Sequence, residues 1–232
     1  MDHVPARSLH GSRILVAGAT GVLGSGLART LHQRGARLAL TGRRNEPLLA
    51  LGGECGAFTY VGDLRDPLHA RRIASDAAAH LGGLDGLINA AGVVAFGNLI
   101  DTPDDVIEDL FLTNVLAPLW LLRAALPHLV NGSFVVHLSG VVAEMALPGM
   151  AAYSSSKAAL MAADTALARE LRRTGVSVLD VRPPHTETGL ATRPLSGEAP
   201  RMAAGLDPQT VVERIVTALE TGEADLPSSA FV

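Results

Sequence analysis

Cysteine, lysine and long apolar runs are scarce in this chain of 232 residues. The single cysteine, Cys55, excludes an internal disulfide and any site built from several cysteines, so we predict no metal. Scarce cysteine is typical of the reducing cytoplasm, which is the predicted location. No apolar run approaches the roughly 18 residues that a membrane-spanning helix needs, and residues 1–12 lack the apolar centre of a signal peptide. We therefore expect no membrane contact.

Positive charge is also limited, and it is spread along the chain. The 19 Lys and Arg residues are outnumbered by 23 Asp and Glu residues, which gives a net charge of −4. Because no basic block stands out, nucleic acid is not a predicted partner. Hydrophobic residues make up 48% and charged residues 18% of the chain, which suits a large buried core. We predict a flexible leader at 1–12 and a single domain at 13–232.

Short apolar runs alternate with helix-type segments along the chain. Predicted strands lie at 13–17, 37–41, 57–61, 85–88, 133–138 and 176–181. Predicted helices lie at 25–34, 67–80, 103–129 and 207–221, and another extends from the 153–157 region to about 173. This alternation is typical of an α/β fold with a doubly wound, Rossmann-type parallel sheet that carries helices on both faces.

A glycine-rich turn joins the first predicted strand to the first predicted helix. In such a turn, backbone N–H groups and the helix N-terminus face a pyrophosphate, and any Cβ would obstruct the approach. The turn therefore predicts a dinucleotide site; the alternative is a glycine-rich turn without a ligand. Its predicted contact residues are Gly18, Thr20, Gly21, Val22, Leu23 and Gly24.

Arginines follow the second predicted strand. Arg43 and Arg44 suit the 2′-phosphate of NADP(H), whereas an acidic residue there would bind a ribose hydroxyl. NADP(H) is therefore favoured, with NAD(H) as the alternative; the less favoured explanation of the pair is two solvated arginines that open a helix. After the third strand, Asp63 either accepts a hydrogen bond from an adenine amino group or caps the turn, and Leu64 adjoins it.

Small residues follow the fourth predicted strand. They let the backbone approach a ligand closely, although an ordinary strand-to-loop turn has the same composition. The predicted cofactor contacts here are Asn89, Ala90, Ala91 and Gly92.

Tyr153 and Lys157 lie four residues apart in a predicted helix, so they share one face. Lys157 is the only lysine among 19 basic residues. A compact ammonium beside a phenol lowers the phenol pKa towards neutrality, which a diffuse guanidinium does less well. The pair predicts acid–base chemistry; the alternative is a half-buried tyrosine and a solvated lysine.

Pro118 lies inside the long helix predicted at 103–129. A proline has no N–H, so the carbonyl four residues earlier, that of Asn114, loses its helical partner. We predict that this carbonyl binds a water molecule; a simple kink is the alternative.

Taken together, these motifs resemble the short-chain dehydrogenase/reductase family over about residues 12–225. The Gly-x-x-Gly-x-x-Gly spacing of the first turn is similar to that of the extended and atypical branches. The resemblance implies that Tyr153 is the general acid/base and that Lys157 lowers its pKa and holds the nicotinamide ribose. It also implies that the Asn114 carbonyl binds a relay water, and that a carbonyl and an alcohol are interconverted. Further implied cofactor contacts are Pro183, Thr186 and Thr188.

Two positions depart from the family pattern. Gly140 stands where the family has a substrate-orienting serine, and Pro184 stands where it has glycine. Ser139, Glu144 and His185 are candidate replacements for the serine, and Gly140→Ser is expected to raise turnover. The departures keep open a second function, a dinucleotide-binding protein with weak or no redox activity.

The resemblance also implies the partners. We expect a small-molecule carbonyl or alcohol substrate, and the mostly apolar segments at 141–145 and 186–206 suggest that it is apolar. A homodimer or homotetramer is expected, paired through the helices at 103–129 and 151–173.

Overall fold

The computed structural model describes residues 6–231, in which six parallel strands form one sheet. The strands are β1 (Arg13–Ala17), β2 (Arg37–Gly42), β3 (Phe58–Val61), β4 (Leu84–Asn89), β5 (Leu129–Leu138) and β6 (Ser177–Val181). Their order is β3-β2-β1-β4-β5-β6, so the winding direction reverses between β1 and β4. The predicted fold class is confirmed.

Seven α-helices cover the two faces of the sheet within the described residues. They are α1 (Val22–Gln33), α2 (Asn45–Cys55), α3 (Pro67–Leu81), α4 (Asp104–Phe111), α5 (Ala117–Ala125), α6 (Ala151–Glu170) and α7 (Pro208–Thr221). One apolar core lies under α1, α2 and α7, and a second lies under α3 and α5. Because both faces are covered, β1, β2, β4 and β6 are buried along almost their whole length.

The predicted helix at 103–129 is not one α-helix. A π-helical segment, Leu112–Leu116, separates α4 from α5, and the backbone N–H of Ala117 bonds to the carbonyl of Leu112. Pro118 follows at once and is buried. Since Pro118 donates no hydrogen bond, the wider turn before it takes up the break in the helical pattern.

Residues 7–9 of the leader predicted at 1–12 pack against the rest of the domain, and residues 1–5 lie outside the described part. Leu9 is 2% exposed and belongs to the first core. The Arg7 guanidinium lies over the Phe134 ring, 5.0 Å from its centroid, and donates to the hydroxyl of Ser177. Leu9 and Arg7 thus attach this otherwise polar segment to the sheet.

The helical stretch Asp104–His128 is, by length and composition alone, apolar enough to cross a membrane. The central helix of an α/β protein has the same composition, and residues of α5 belong to the second core. α4, which is the N-terminal part of this stretch, carries four acidic residues. Burying these charges in a bilayer would be unfavourable.

Candidate active site

The carboxyl ends of β1 and β4 meet where the strand order reverses, and the glycine turn lies there. Gly18 has φ +72, and a Cβ on it would lie 2.4 Å from the backbone nitrogen of Ala91. A Cβ on Gly24 would lie 2.2 Å from the carbonyl oxygen of Gly18. The packing of the turn therefore requires both glycines.

Gly21 has a different role in the turn. It is the N-cap of α1 with φ −79, and a Cβ on it would meet only the Gly18 carbonyl, at 3.3 Å. No side chain caps α1, and no acidic residue lies in its first turn. The helix begins at Val22, three residues before the predicted start. Because no side chain caps it, its first N–H groups are open to an anion. This arrangement fits a pyrophosphate.

The small residues after β4 pack between the glycine turn and α6. The backbone nitrogen of Ala90 donates to Ala17 at 2.9 Å, and the side-chain oxygen of Asn89 accepts from Ala91 at 3.2 Å. A Cβ on Gly92 would lie 3.3 Å from both Asn114 Oδ1 and Lys157 Nζ. The structure thus brings the small residues after β4, Asn114 and Lys157 together at Gly92.

Arg43 and Arg44 follow β2, as the sequence indicated, and an arginine that was not predicted, Arg65, follows β3. Arg43 is exposed, and Arg44 donates to the carbonyl of Thr20 in the glycine turn. Arg65 binds both carboxylate oxygens of Asp63 and also reaches Asp109 on α4. Burial alone would raise the pKa of Asp63, but the hydrogen bonds from Arg65 hold that pKa below its usual value. Sequence reasoning missed Arg65, although it lies only two residues from Asp63.

Tyr153 is half-buried on α6, against an apolar cluster that includes Val94, Phe96 and Met150. Burial raises the pKa of its phenol to about 12. This direction is opposite to the predicted lowering by Lys157, because desolvation of the phenolate dominates in the protein chain.

Lys157 is 6% exposed, not solvated, and its Nζ donates to the carbonyl of Leu138 at 2.8 Å. Burial lowers the pKa of the ammonium to about 8, while the carboxylates of Asp180 and Asp164 act in the opposite direction. At neutral pH the structure therefore holds a neutral phenol one helical turn from a buried ammonium.

Asn114 is fully buried in the π-helical segment, and its side chain makes contacts that sequence reasoning missed. Its Oδ1 accepts from the backbone of Val93 at 2.9 Å, and its Nδ2 donates to the Val93 carbonyl at 2.9 Å. Nδ2 also donates to Ser156 Oγ on α6 at 3.1 Å. The side chain therefore ties the loop after β4 to the helix of Tyr153 and Lys157. The water on its backbone carbonyl stays a prediction.

The three candidate replacements for the missing serine each bind another group. Ser139 is fully buried and donates to Asp180. Glu144 accepts from Arg182 and from Ser228. His185 Nε2 lies 3.5 Å from a carboxylate oxygen of Glu187, and the backbone of Leu206 donates to the His185 carbonyl.

Gly140 itself has φ 81 and ψ 163, a conformation that essentially only glycine adopts. A Cβ there would meet nothing within 4 Å, so space is present but the backbone is unsuitable. A serine would therefore strain the chain at this point, which argues against the expected rise in turnover of Gly140→Ser.

The loop after β6 closes on itself and on the end of β5. The carbonyl of Pro183 accepts from Val141 at 3.1 Å. The hydroxyl of Thr186 donates to the Pro184 carbonyl at 2.9 Å, and that of Thr188 accepts from the backbone of Leu190. The threonines thus order the loop that the resemblance assigns to the cofactor.

A glycine turn at the strand-order reversal, with a tyrosine and a buried lysine on a neighbouring helix, is typical of Rossmann-fold oxidoreductases. The model of the family described as short chain dehydrogenase matches residues 12–198. The chain belongs to this short-chain dehydrogenase/reductase family.

Relatives and solved structures agree with that membership. The chain is 30% identical to dehydrogenase/reductase SDR family member 7B of Bos taurus, over 92% of this chain and 72% of that protein. It is 28% identical to a hydroxynaphthalene reductase of Aspergillus fumigatus, over 92% and 79%. A short chain dehydrogenase from Burkholderia cenocepacia, solved in complex with NADP, has 28% identity and a TM-score of 0.86, over 97% of this chain and 100% of that one.

Proposed function

We propose that the chain is an NADP(H)-preferring oxidoreductase that interconverts a ketone or aldehyde with the corresponding alcohol. The observation that carries this proposal is the convergence of Asn114 and Lys157 on Gly92, beside the glycine turn and one helical turn from Tyr153. Buried polar groups gathered at a strand-order reversal are typical of a catalytic crevice.

The glycine turn and Lys157 would hold the dinucleotide, which when bound would supply a hydride for the carbonyl carbon. Tyr153 donates a proton to the carbonyl oxygen, and a phenol with a pKa of about 12 is protonated throughout the neutral range. The positive charge of Lys157 stabilises the phenolate left after proton transfer. Asn114 holds the Val93 backbone against α6 and so orients the floor of the site.

The specificity elements support a phosphorylated cofactor and an apolar substrate. Arg43 is exposed beside the glycine turn, where it suits a 2′-phosphate. The Burkholderia cenocepacia relative was solved with NADP. Val94, Phe96 and Met150 surround Tyr153, so we propose a hydrophobic carbonyl compound.

The test is NADPH oxidation with a panel of apolar ketones and aldehydes. Tyr153→Phe removes the proton donor and should lower kcat about 10²- to 10⁴-fold. The chain offers a matched control, because its other tyrosine is Tyr60 on β3. Tyr60→Phe should keep kcat, and equal losses in both variants would contradict the assignment.

A second candidate function is a dinucleotide-binding protein with weak or no redox activity. The glycine-specific backbone at Gly140 favours it, because the substrate-orienting hydroxyl is replaced by a conformation that serine does not adopt. Micromolar NADPH binding without turnover across the panel would establish this function instead.

We also propose a homodimer or homotetramer, paired through α4, α5 and α6, in the cytoplasm. Light scattering of the purified protein tests the assembly, and a monomer at micromolar concentration would contradict it.

A further inference from the structure

A buried polar cluster lies beneath α6, on the β5 side of Lys157. The last two residues of β5 and the residue that follows the strand take part in it. His137 Nδ1 lies 2.6 Å from Asp164 Oδ1, the Leu138 carbonyl accepts from Lys157, and Ser139 donates to Asp180 on β6. The register pairs His137 with Asp180 across the two strands. The buried face of α6 therefore meets a polar row rather than an apolar one.

The cluster is almost completely withdrawn from solvent. His137 is 0%, Asp164 2%, and Lys157 and Asp180 each 6% exposed. Ionised groups in such surroundings are strongly destabilised unless opposite charges lie nearby. A buried ammonium here needs carboxylates that share its surroundings.

Titratable groups lie on α6 itself and on several of the elements packed against it. Tyr153 and Asp164 lie on the same helix as Lys157, His137 on β5, Asp180 on β6, and Glu144 in the loop packed on α6. The nearest charged groups of α4 are its acidic residues, of which Asp104, Asp105 and Glu108 are exposed. Asp180 and Glu144 are already bound by Arg182.

Asp164 differs from the other carboxylates because its described partner is an imidazole and not a guanidinium. Its second oxygen, Oδ2, and the Nε2 of His137 are buried with no hydrogen-bond partner among the described residues. The Asp164 carboxylate lies on the same face of α6 as Lys157, seven residues further along the helix.

We propose that the buried carboxylates of Asp164 and Asp180 are the counter-charges that keep Lys157 protonated, with Asp164 acting as a positioning residue through His137. The inference rests on the proposed function and assigns a new role within that site. Burial lowers the pKa of Lys157 to about 8, and both carboxylates oppose this effect. Without Asp164 the ammonium would lose its proton nearer neutrality, and the Tyr153 phenolate would lose its stabilising charge.

The test exploits the single lysine of the chain. Protein labelled with ¹³Cε-lysine gives one side-chain NMR signal, which reports the protonation of Lys157 directly. In the wild type we expect a titration midpoint near pH 8. In Asp164→Asn, which preserves the shape and an acceptor for His137, the midpoint should fall by about one pH unit.

The matched control is Glu170→Gln, which removes the same charge from the exposed end of α6. Its midpoint should equal that of the wild type. An unchanged midpoint in a folded Asp164→Asn protein would overturn the proposal. If that variant does not fold, the wild type still decides, because a midpoint below about pH 6.5 would show that the carboxylates do not hold the charge.

The NMR readout is independent of catalysis. A lowered midpoint in Asp164→Asn with no turnover in any protein supports this inference and removes the proposed function. If the enzyme is active, kcat/KM should fall as Lys157 loses its proton, and this fall should occur at a lower pH in Asp164→Asn than in the wild type. An active enzyme whose profile stays unchanged overturns the inference and leaves the proposed function intact.

Discussion

Burial determines the protonation of Tyr153 and Lys157 more than their proximity on α6 does. It raises the pKa of the phenol to about 12 and lowers that of the ammonium to about 8. Both shifts favour the neutral form, as expected when charged groups leave water. Before the reaction, the site therefore holds a protonated Tyr153 phenol beside the Lys157 ammonium, whose pKa is close to neutrality.

Lys157→Met should change how stability depends on pH. The folded pKa of Lys157 lies below the unfolded value of 10.5, so the folded state binds fewer protons between about pH 8 and 10.5. Wild-type stability should therefore rise with pH across this window, relative to Lys157→Met. Below pH 8 the buried charge costs about 3 kcal/mol, and the variant should be the more stable protein.

Urea unfolding of both proteins at several pH values measures that difference. Titration of Tyr153 is common to the two proteins and cancels in the comparison. A stability difference that is constant from pH 7 to about pH 10 would contradict a lowered lysine pKa.

Arg43→Ala should weaken NADPH binding much more than NADH binding. The exposed guanidinium is suited to the 2′-phosphate that NADH lacks, and a charge-assisted contact of this kind contributes about 1.5–3 kcal/mol. Fluorescence titration with both cofactors provides the measurement. Arg201→Ala, an exposed arginine outside the predicted cofactor contacts, is the control; equal weakening of both cofactors in Arg43→Ala would refute the 2′-phosphate role.

The elements around the site are irregular where the chemistry requires a particular group. The π-helical segment places the Asn114 side chain against Val93 and Ser156. The end of β5 turns at Gly140 through a conformation closed to other residues. Each irregularity fixes a short segment that a regular helix or strand would place elsewhere.

Gly140→Ala and Gly140→Ser should each lose about 1–3 kcal/mol of unfolding free energy, because both force a side chain into a glycine-specific conformation. Denaturant unfolding measures this loss. The alanine variant reports strain alone, so the ratio of the two turnover rates isolates the added hydroxyl. We expect a ratio near one; a serine variant several-fold faster than alanine would mean that the backbone at Gly140 rearranges.

At the scale of the whole molecule, Arg182 connects three parts of the chain. Its guanidinium binds Asp180 on β6, Glu144 after β5 and Asp225 after α7. These hydrogen bonds raise the pKa of Arg182 despite its burial. The C-terminal segment is thereby held against the sheet, where Leu226 bridges to Val181.

Arg182→Met should cost about 3–5 kcal/mol in unfolding free energy, because it leaves the buried Asp180 carboxylate without its cation. Arg214→Met is a matched control, since it breaks a more exposed pair with Glu223 and should cost about 1 kcal/mol or less. Thermal and urea unfolding compare the two variants. Equal costs would mean that the Arg182 contacts act as ordinary surface pairs.

The sheet could be predicted because its strands are buried on both faces. β1 coincides with the prediction, β2, β3 and β6 differ from it by one residue at one end, and β4 is longer by one residue at each end. No bounds were predicted for α2, whose sequence has weak amphipathic character and two internal glycines. The start of α1 was placed three residues late because its N-cap is glycine and carries no side-chain signal.

The cofactor turn was readable because glycine spacing reports local backbone geometry. The buried side-chain pairs were not, since His137 and Asp164 lie 27 residues apart, and Arg182 and Asp225 lie 43 apart. Only the β5–β6 register and the packing of α6 on the sheet bring such partners together. Gly140 was recognised as a departure, but its backbone angles are a property of the fold alone.

The burial of Lys157 has a practical consequence for chemical labelling. Lys157 is the only lysine of the chain, and the other residues in the Lys and Arg count are arginines. Acylating reagents therefore meet one side-chain amine, on a residue that is 6% exposed. Acylation of Lys157 would then time the opening of α6 from the sheet, and a bound dinucleotide should slow the reaction.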